Sequence, residues 1–387
     1  MHPFRLDKPH AVTLAGVAVL GMIFSYKALV APFWDYEVYR TAVDCFAGGC
    51  DPYSPDAGKL AFVYPPLFLR LFSVFGFPET YGIAIAVMAA VALFAMRDLR
   101  AQASFALLGF LTGGGGLIAI LTGNFTIIAH LLVIALAHAA YRAEKSALAP
   151  AALALAILLF SALKFYFLAY AAIFLLLPGR RALLFLAPPI GVVLVTFAQM
   201  AFDHDLWAAF GAALYRQTLA NGDLGFTLFG IVERRYGLLL GGLALHEGVA
   251  LAMIALAIGL RWRAGAREPS IRSESELFYV LAALILVNPR LKDYDFAAFM
   301  VCVYLSVALS ERRSPLIDGF FAFVLPITAA VAAVVLVVGP ALGLPITAPY
   351  ASVYFFASYG SFFLLSVRSW TGLAASAGPR GESLAHM

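Results

Sequence analysis

The sequence predicts an all-α polytopic membrane protein: one integral domain over residues 1–387, with about 12 membrane-spanning helices. Three observations predict it. Hydrophobic residues make up 63% of the chain and charged residues only 12%, where soluble domains carry about a quarter charged. Mean hydropathy is +0.91. Apolar stretches approaching the ~20 residues that cross a bilayer recur along nearly the whole chain, broken by short basic clusters. Such a composition leaves no segment for a soluble domain. The net charge of +4 is spread over short loops and implies no nucleic-acid partner.

The first apolar stretch, Ala11 to Ala31, exceeds a signal-peptide core and lacks a clear small-residue cleavage site before Pro32, so it reads as the first span. Further spans are expected near residues 80–96, 104–121, 125–140, 147–163, 166–178, 182–201, 236–260, 277–288, 294–310, 317–338 and 349–366. With the N-terminus inside, Arg97/Arg100, Arg142/Lys145, Arg180/Arg181, Arg261/Arg263/Arg267 and Arg312/Arg313 all fall on the cytoplasmic side, as the positive-inside rule requires. That parity holds only if Phe62–Phe77 does not span. Its Tyr64-Pro65-Pro66 start, its 16 residues and the central Arg70 suit a helix lying in the interface or re-entering the bilayer.

Polar chemistry then gathers in three outer loops: residues 32–79, 202–235 and 288–295. The first carries Trp34-Asp35-Tyr36-Glu37-Val38-Tyr39 where a helix should surface into water. Asp35 and Glu37 are the candidate proton acceptors, Asp35 leading and Glu37 a possible second carboxylate. On an extended segment the two point the same way; on a helix they diverge, and one serves. Asp35 is read equally as a solvated loop carboxylate or as an N-cap. Trp34, Tyr36 and Tyr39 also suit the aromatic belt of a membrane surface. Cys45 and Cys50 either close a small disulfide loop in an oxidising compartment or stand as free thiols.

The third loop, Asn288-Pro289-Arg290-Leu291-Lys292-Asp293-Tyr294-Asp295, offers Arg290 and Lys292 as phosphate-binding cations, the first a planar fork and the second a point charge. Each also suits an ordinary pair with Asp293 or Asp295. Asp293-x-Asp295 is a weak metal-clamp signal; no zinc-type ligand set accompanies it, and a divalent metal is not required. Lys164, at the outer end of an apolar helix, either snorkels or faces a lipid phosphate. Glu247, inside the span from Tyr236, lines a cavity or pairs with a basic neighbour, since a carboxylate in lipid costs about 2.5–3.5 kcal/mol. His130 and His138 read as packed or interfacial residues. Gly113–Gly116, at roughly 1 kcal/mol per helical glycine, marks close helix approach or a local break.

Asp35 just beyond the first span, Asp51-Pro52-Tyr53, Phe62-Val63-Tyr64-Pro65-Pro66, the Gly123-Asn124 turn, Lys164 and Asn288-Pro289-Arg290 together resemble glycosyltransferase family 87, membrane mannosyltransferases of the GT-C class. The first-loop part is the most specific. The late loop departs from the family's better-known pattern, in which a Ser-Pro string precedes Trp and His.

The resemblance implies a GT-C-like helix bundle with interfacial helices in the first outer loop and a polyprenyl-phosphate sugar as donor. It places Asp35 as the catalytic carboxylate of an inverting transfer, mannose first among the sugars, to a glycolipid or glycan acceptor. Arg290, Lys292, Lys164 and Arg216 are then expected at the donor phosphate. Tyr36, Tyr39, Tyr53, Tyr64, Asn124, Asn288, Asp293, Tyr294 and Asp295 are expected at sugar or acceptor. The bacterial inner membrane, with the site facing the periplasm, is the expected location. The alternative class is a transporter or flippase, which predicts repeats and paired broken helices. The asymmetry of the outer loops speaks for the enzyme.

Overall fold

A computed structural model describes residues 33–54, 62–74, 76–112, 115–143, 146–177, 182–220, 224–225, 227–263, 271, 273–310, 319–321 and 357–367. The expected first span at 11–31, most of 317–338 and the first part of 349–366 lie outside the described residues. Every regular element among the described residues is helical. In chain order they are α1 Trp34–Ala47, α2 Pro66–Ser73, α3 Phe77–Ala95, α4 Ala103–Leu111, α5 Gly115–Thr122, α6 Thr126–Arg142 and α7 Leu148–Leu163. A 3-10 helix, Phe165–Leu175, follows, then α8 Ala187–Phe202, α9 His204–Tyr215, α10 Leu228–Tyr236, α11 Leu239–Arg263, α12 Glu274–Leu286, α13 Asp293–Ala308 and α14 Ala357–Val367.

Among the described residues two stretches are long and apolar enough to cross a membrane, Phe77–Ala95 and Leu183–Phe202. A third qualifies if Arg97–Leu111 and Gly115–Thr122, bent by 78°, count as one. The shorter apolar helices among the described residues, such as Thr126–Arg142, Leu148–Leu163 and Tyr294–Ala308, run for 10–17 residues, below the ~20 that cross a bilayer. Helix α2, eight residues and therefore about 12 Å long, is too short to cross a ~30 Å hydrocarbon layer. It is instead tied laterally: Arg70 makes a two-pronged ion pair with the buried Asp203, and the Leu67 amide donates to Gln199 Oε1 at 2.7 Å.

Helix α13 is the centre of the bundle. It packs against α4, α5, α6 and α12, and its residues Phe296 to Leu305 are each no more than 2% exposed. Being apolar on every face, such a helix must be covered all round. The α4 contact depends on Gly109, where a Cβ would come within 2.6 Å of the Met300 carbonyl oxygen. Gly116, at the start of α5, leaves no more room: a Cβ there would lie 2.5 Å from the Phe110 carbonyl oxygen. Of the four-glycine run, Gly115 and Gly116 open α5 after the 78° bend, Gly116 at a close approach, while Gly113 and Gly114 lie outside the described residues.

Residues 166–178, expected as a span, begin instead as a 3-10 helix. Phe167, Tyr170 and Ile173 are buried at intervals of three, the row that a three-residue turn stacks in register. The sequence there is apolar on every side, so no polar stripe signals the tighter period.

The start of α1 is built with strain. Phe33 adopts the left-handed region at φ 59°, which costs a non-glycine residue about 1–2 kcal/mol, and its amide donates to the Leu121 carbonyl at 2.8 Å. That bond seats α1 on the end of α5. Gly123, at φ 73°, completes the join: a Cβ there would meet Tyr36 Cβ at 2.9 Å, and the Tyr81 hydroxyl donates to its carbonyl.

Candidate active site

Between α1, the 62–65 segment, the 3-10 helix, α8, α9 and the 287–294 loop lies a cavity of about 1000 Å³. Its lining includes the polar side chains Asp35, Asn124, Lys164, Gln217, Glu247, Arg290 and Lys292, together with apolar ones such as Leu168, Ala172, Phe185, Pro189 and Leu214.

Asp35 stands in the first turn of α1, not at its cap: the cap position belongs to Phe33, which offers no side-chain acceptor. There the helix dipole favours a carboxylate. Because the segment is helical, the two carboxylates diverge. Asp35 enters the cavity, while Glu37 is exposed and paired with Arg40 at 2.5 Å. Asn124 Nδ2 donates to Asp35 Oδ2 at 3.2 Å, and no hydrogen bond reaches Oδ1 among the described residues. A carboxylate held by one oxygen keeps the other for a substrate proton.

Asn124 is itself fixed, since its Oδ1 accepts from the Thr126 amide at 2.9 Å in a local turn just before α6. Thr126 Oγ1 in turn accepts from Lys164 Nζ at 2.6 Å. A continuous polar chain therefore runs from Asp35 through Asn124 and Thr126 to Lys164. The Lys164 amine sits 4.9 Å above the Tyr64 ring and 4.8 Å from that of Tyr294, distances at which a cation is held by the ring faces. Burial, opposed by Asp295 and Asp35 and aided by Arg290 and Lys292, lowers its pKa to about 7.

Tyr39 and Tyr64 wall the cavity beside Asp35, their hydroxyls 2.9 Å apart. Burial raises both hydroxyls above the ordinary tyrosine range, so they remain protonated donors. Tyr53, expected at the sugar, lies outside the lining. Its hydroxyl donates to the Tyr64 carbonyl at 2.8 Å, supporting the wall from behind. Arg216, expected at the phosphate, is also outside the lining: it donates to the Tyr53 carbonyl at 2.8 Å. Tyr36 packs between Phe77 and Tyr81 rather than facing the cavity. Cys45 and Cys50 form a disulfide across the α1 terminus and are not among the lining residues.

The 288–295 loop divides by role. Asn288, Arg290, Lys292 and Tyr294 line the cavity. Asp295 does not: it is fully buried and its two oxygens receive four hydrogen bonds. His130 Nε2 at 2.8 Å and the Tyr166 hydroxyl at 3.2 Å reach Oδ1, while Asn288 Nδ2 at 3.1 Å and the Lys292 amide at 2.8 Å reach Oδ2. Asp295 is thus an internal anchor and the N-terminal acceptor of α13, with no oxygen left for a substrate. The side chain of Asp293 lies outside the described residues. Among the described residues no three of His, Cys, Asp and Glu gather as a metal site would need.

Four contributors were not singled out by sequence: Thr126, Tyr166, Gln217 and the bonding role of His130. His130 carried the only readable signal, an imidazole inside an apolar helix, and a packed histidine was expected there. Glu247 does line the cavity, one of the two roles open to it.

A carboxylate with one oxygen unbonded among the described residues, three basic side chains and apolar side chains lining one cavity can bind an amphipathic anion and accept a proton beside it. No family model, curated protein or solved structure matches this chain.

Proposed function

We propose that the chain is an integral membrane glycosyltransferase that moves a sugar from a polyprenyl-phosphate donor to a glycolipid or glycan acceptor. One observation carries this reading: Asp35 and the cations Lys164, Arg290 and Lys292 line the same cavity as a set of apolar side chains. The prenyl chain lies against the apolar lining residues, the phosphate meets the cations, and the sugar lies between them and Asp35. In the reaction the acceptor oxygen attacks C1 with inversion and its proton passes to Asp35. The bond from C1 to the phosphate oxygen breaks, and polyprenyl phosphate leaves toward Lys164, Arg290 and Lys292.

The resemblance to glycosyltransferase family 87 and its GT-C helical bundle supports the same class, with mannose as the first sugar to test. Exposed apolar side chains along α3 and α8, among them Ile83, Val87, Ile190, Val193 and Phe197, support a bilayer setting. The topology of about 12 spans, placed in a bacterial inner membrane, puts the Asp35 end on the periplasmic side.

The test is transfer from a polyprenyl-phosphate sugar by purified protein. Asp35→Asn should lower kcat by about 10²–10⁴-fold, the contribution of a positioned proton acceptor, while donor binding is retained. Full activity in a folded Asp35→Asn variant would remove the assignment.

A transporter is favoured by one feature, Glu247 lining the cavity from within a predicted span. Substrate exchange across proteoliposomes, abolished by Glu247→Gln and indifferent to Asp35→Asn, would select that reading.

A further inference from the structure

We propose that His130 and Asp295 form a buried brace that positions the Asn288–Lys292 loop as an anion cradle, making His130 a positioning residue of the phosphate site. The cradle role rests on the proposed donor; the brace itself does not.

The geometry starts at the loop. Its two cations have their backbones pinned through buried side chains: Asn288 Oδ1 accepts from the Arg290 amide at 2.9 Å, and Asp295 Oδ2 accepts from the Lys292 amide at 2.8 Å. Asn288 Nδ2 also donates to that same Asp295 oxygen, so both pins converge on one carboxylate. A short loop between two helices would otherwise hold its cations loosely, and a misplacement of about 1 Å is costly for a phosphate contact.

Asp295 is oriented in turn by His130, 1% exposed and projecting from α6. The other ring nitrogen, Nδ1, meets the Tyr170 hydroxyl at 2.7 Å, which fixes the ring. The imidazole also stacks on Phe167, with centroids 4.4 Å apart. Neither His130 nor Asp295 nor Tyr170 lines the cavity. Their contact with it passes through the loop and through Tyr166, which donates to Asp295 Oδ1 and lines the wall. The outer shell thus joins α6, the 3-10 helix and α13 behind the cations, and its orientation sets theirs.

The test pairs two readouts on full-length protein in nanodiscs: hydrogen exchange at the Arg290 and Lys292 amides, and binding of polyprenyl phosphate. His130→Phe removes the donor and should speed exchange there at least about tenfold and weaken binding by a similar factor. His130→Gln, whose amide reaches the same carboxylate, should restore both to within about threefold. Should His130→Phe fail to fold, Tyr170→Phe, which frees the ring without emptying the site, should give a smaller shift of the same sign. Unchanged exchange in folded His130→Phe or Tyr170→Phe protein overturns the brace. Faster exchange with unaltered lipid binding overturns the positioning role. Faster exchange in a protein whose wild type binds no polyprenyl phosphate leaves the brace standing and rejects the donor reading and, with it, the cradle.

Discussion

Two aspartates near one cavity, Asp35 and Asp295, show how environment separates chemistry from support. Asp35 is partly buried, receives one hydrogen bond from the described residues and lines the cavity. Asp295 is fully buried and receives four. A saturated carboxylate has no lone pair to give to a reacting proton, whereas a half-satisfied one facing a cavity does. The lesson is that the carboxylate more deeply set in the site is the less available one.

Substitutions can break or sharpen this contrast. Asp295→Ala should be the most damaging to the fold. It strands donors on His130, Tyr166, Asn288 and the Lys292 backbone, for a loss on the order of 3–5 kcal/mol that chemical denaturation in detergent would register. Asp35→Asn should stay within about 1 kcal/mol of wild type in the same measurement, because the amide still partners Asn124. Similar destabilisation by both would erase the distinction.

Lys164→Met should come next, weakening binding of a polyprenyl phosphodiester by about 10- to 100-fold through loss of a charge-assisted contact. The pH dependence has a definite sign. Burial lowers the pKa of the amine to about 7, and a bound anion raises that value. Affinity should therefore be greatest below pH 7 and fall as pH rises through it. Titration calorimetry should show proton uptake above pH 7 in wild type and none attributable to this group in Lys164→Met. A pH-independent wild-type affinity would contradict the position assigned to Lys164.

Glu37→Gln should be the mildest, changing turnover and stability by less than about twofold and 0.5 kcal/mol, since an exposed ion pair contributes little. A large loss there would return Glu37 to the reaction and weaken the reading of α1.

How much of this was legible in the sequence follows from which signals are local. Apolar runs and the basic clusters between them located α3, α6, α7, α12 and α13 to within a few residues, because hydropathy is a property of short windows. Asp35, Asn124, Lys164 and Arg290 could be singled out individually. That Asp35 is joined to Lys164 through Thr126 could not, since the link joins residues 35, 124, 126 and 164 by the packing of three elements. Arg216 and Tyr53 were expected in the cavity because they are polar or aromatic in the right loops. Their hydrogen bonds to carbonyls behind the wall are long-range and leave no mark in the chain. The 3-10 helix was hidden for a different reason: with no polar face, an apolar stretch does not announce its period.

The central claim is that this cavity holds a polyprenyl-phosphate sugar, and the most direct measurement is native mass spectrometry of the lipid that copurifies with the protein. The account predicts a polyprenyl phosphate or its glycosylated form on wild type and on Asp35→Asn, and its loss from Lys164→Met/Arg290→Met. Wild-type protein that retains only bulk phospholipid after incubation with the glycosylated donor would contradict it.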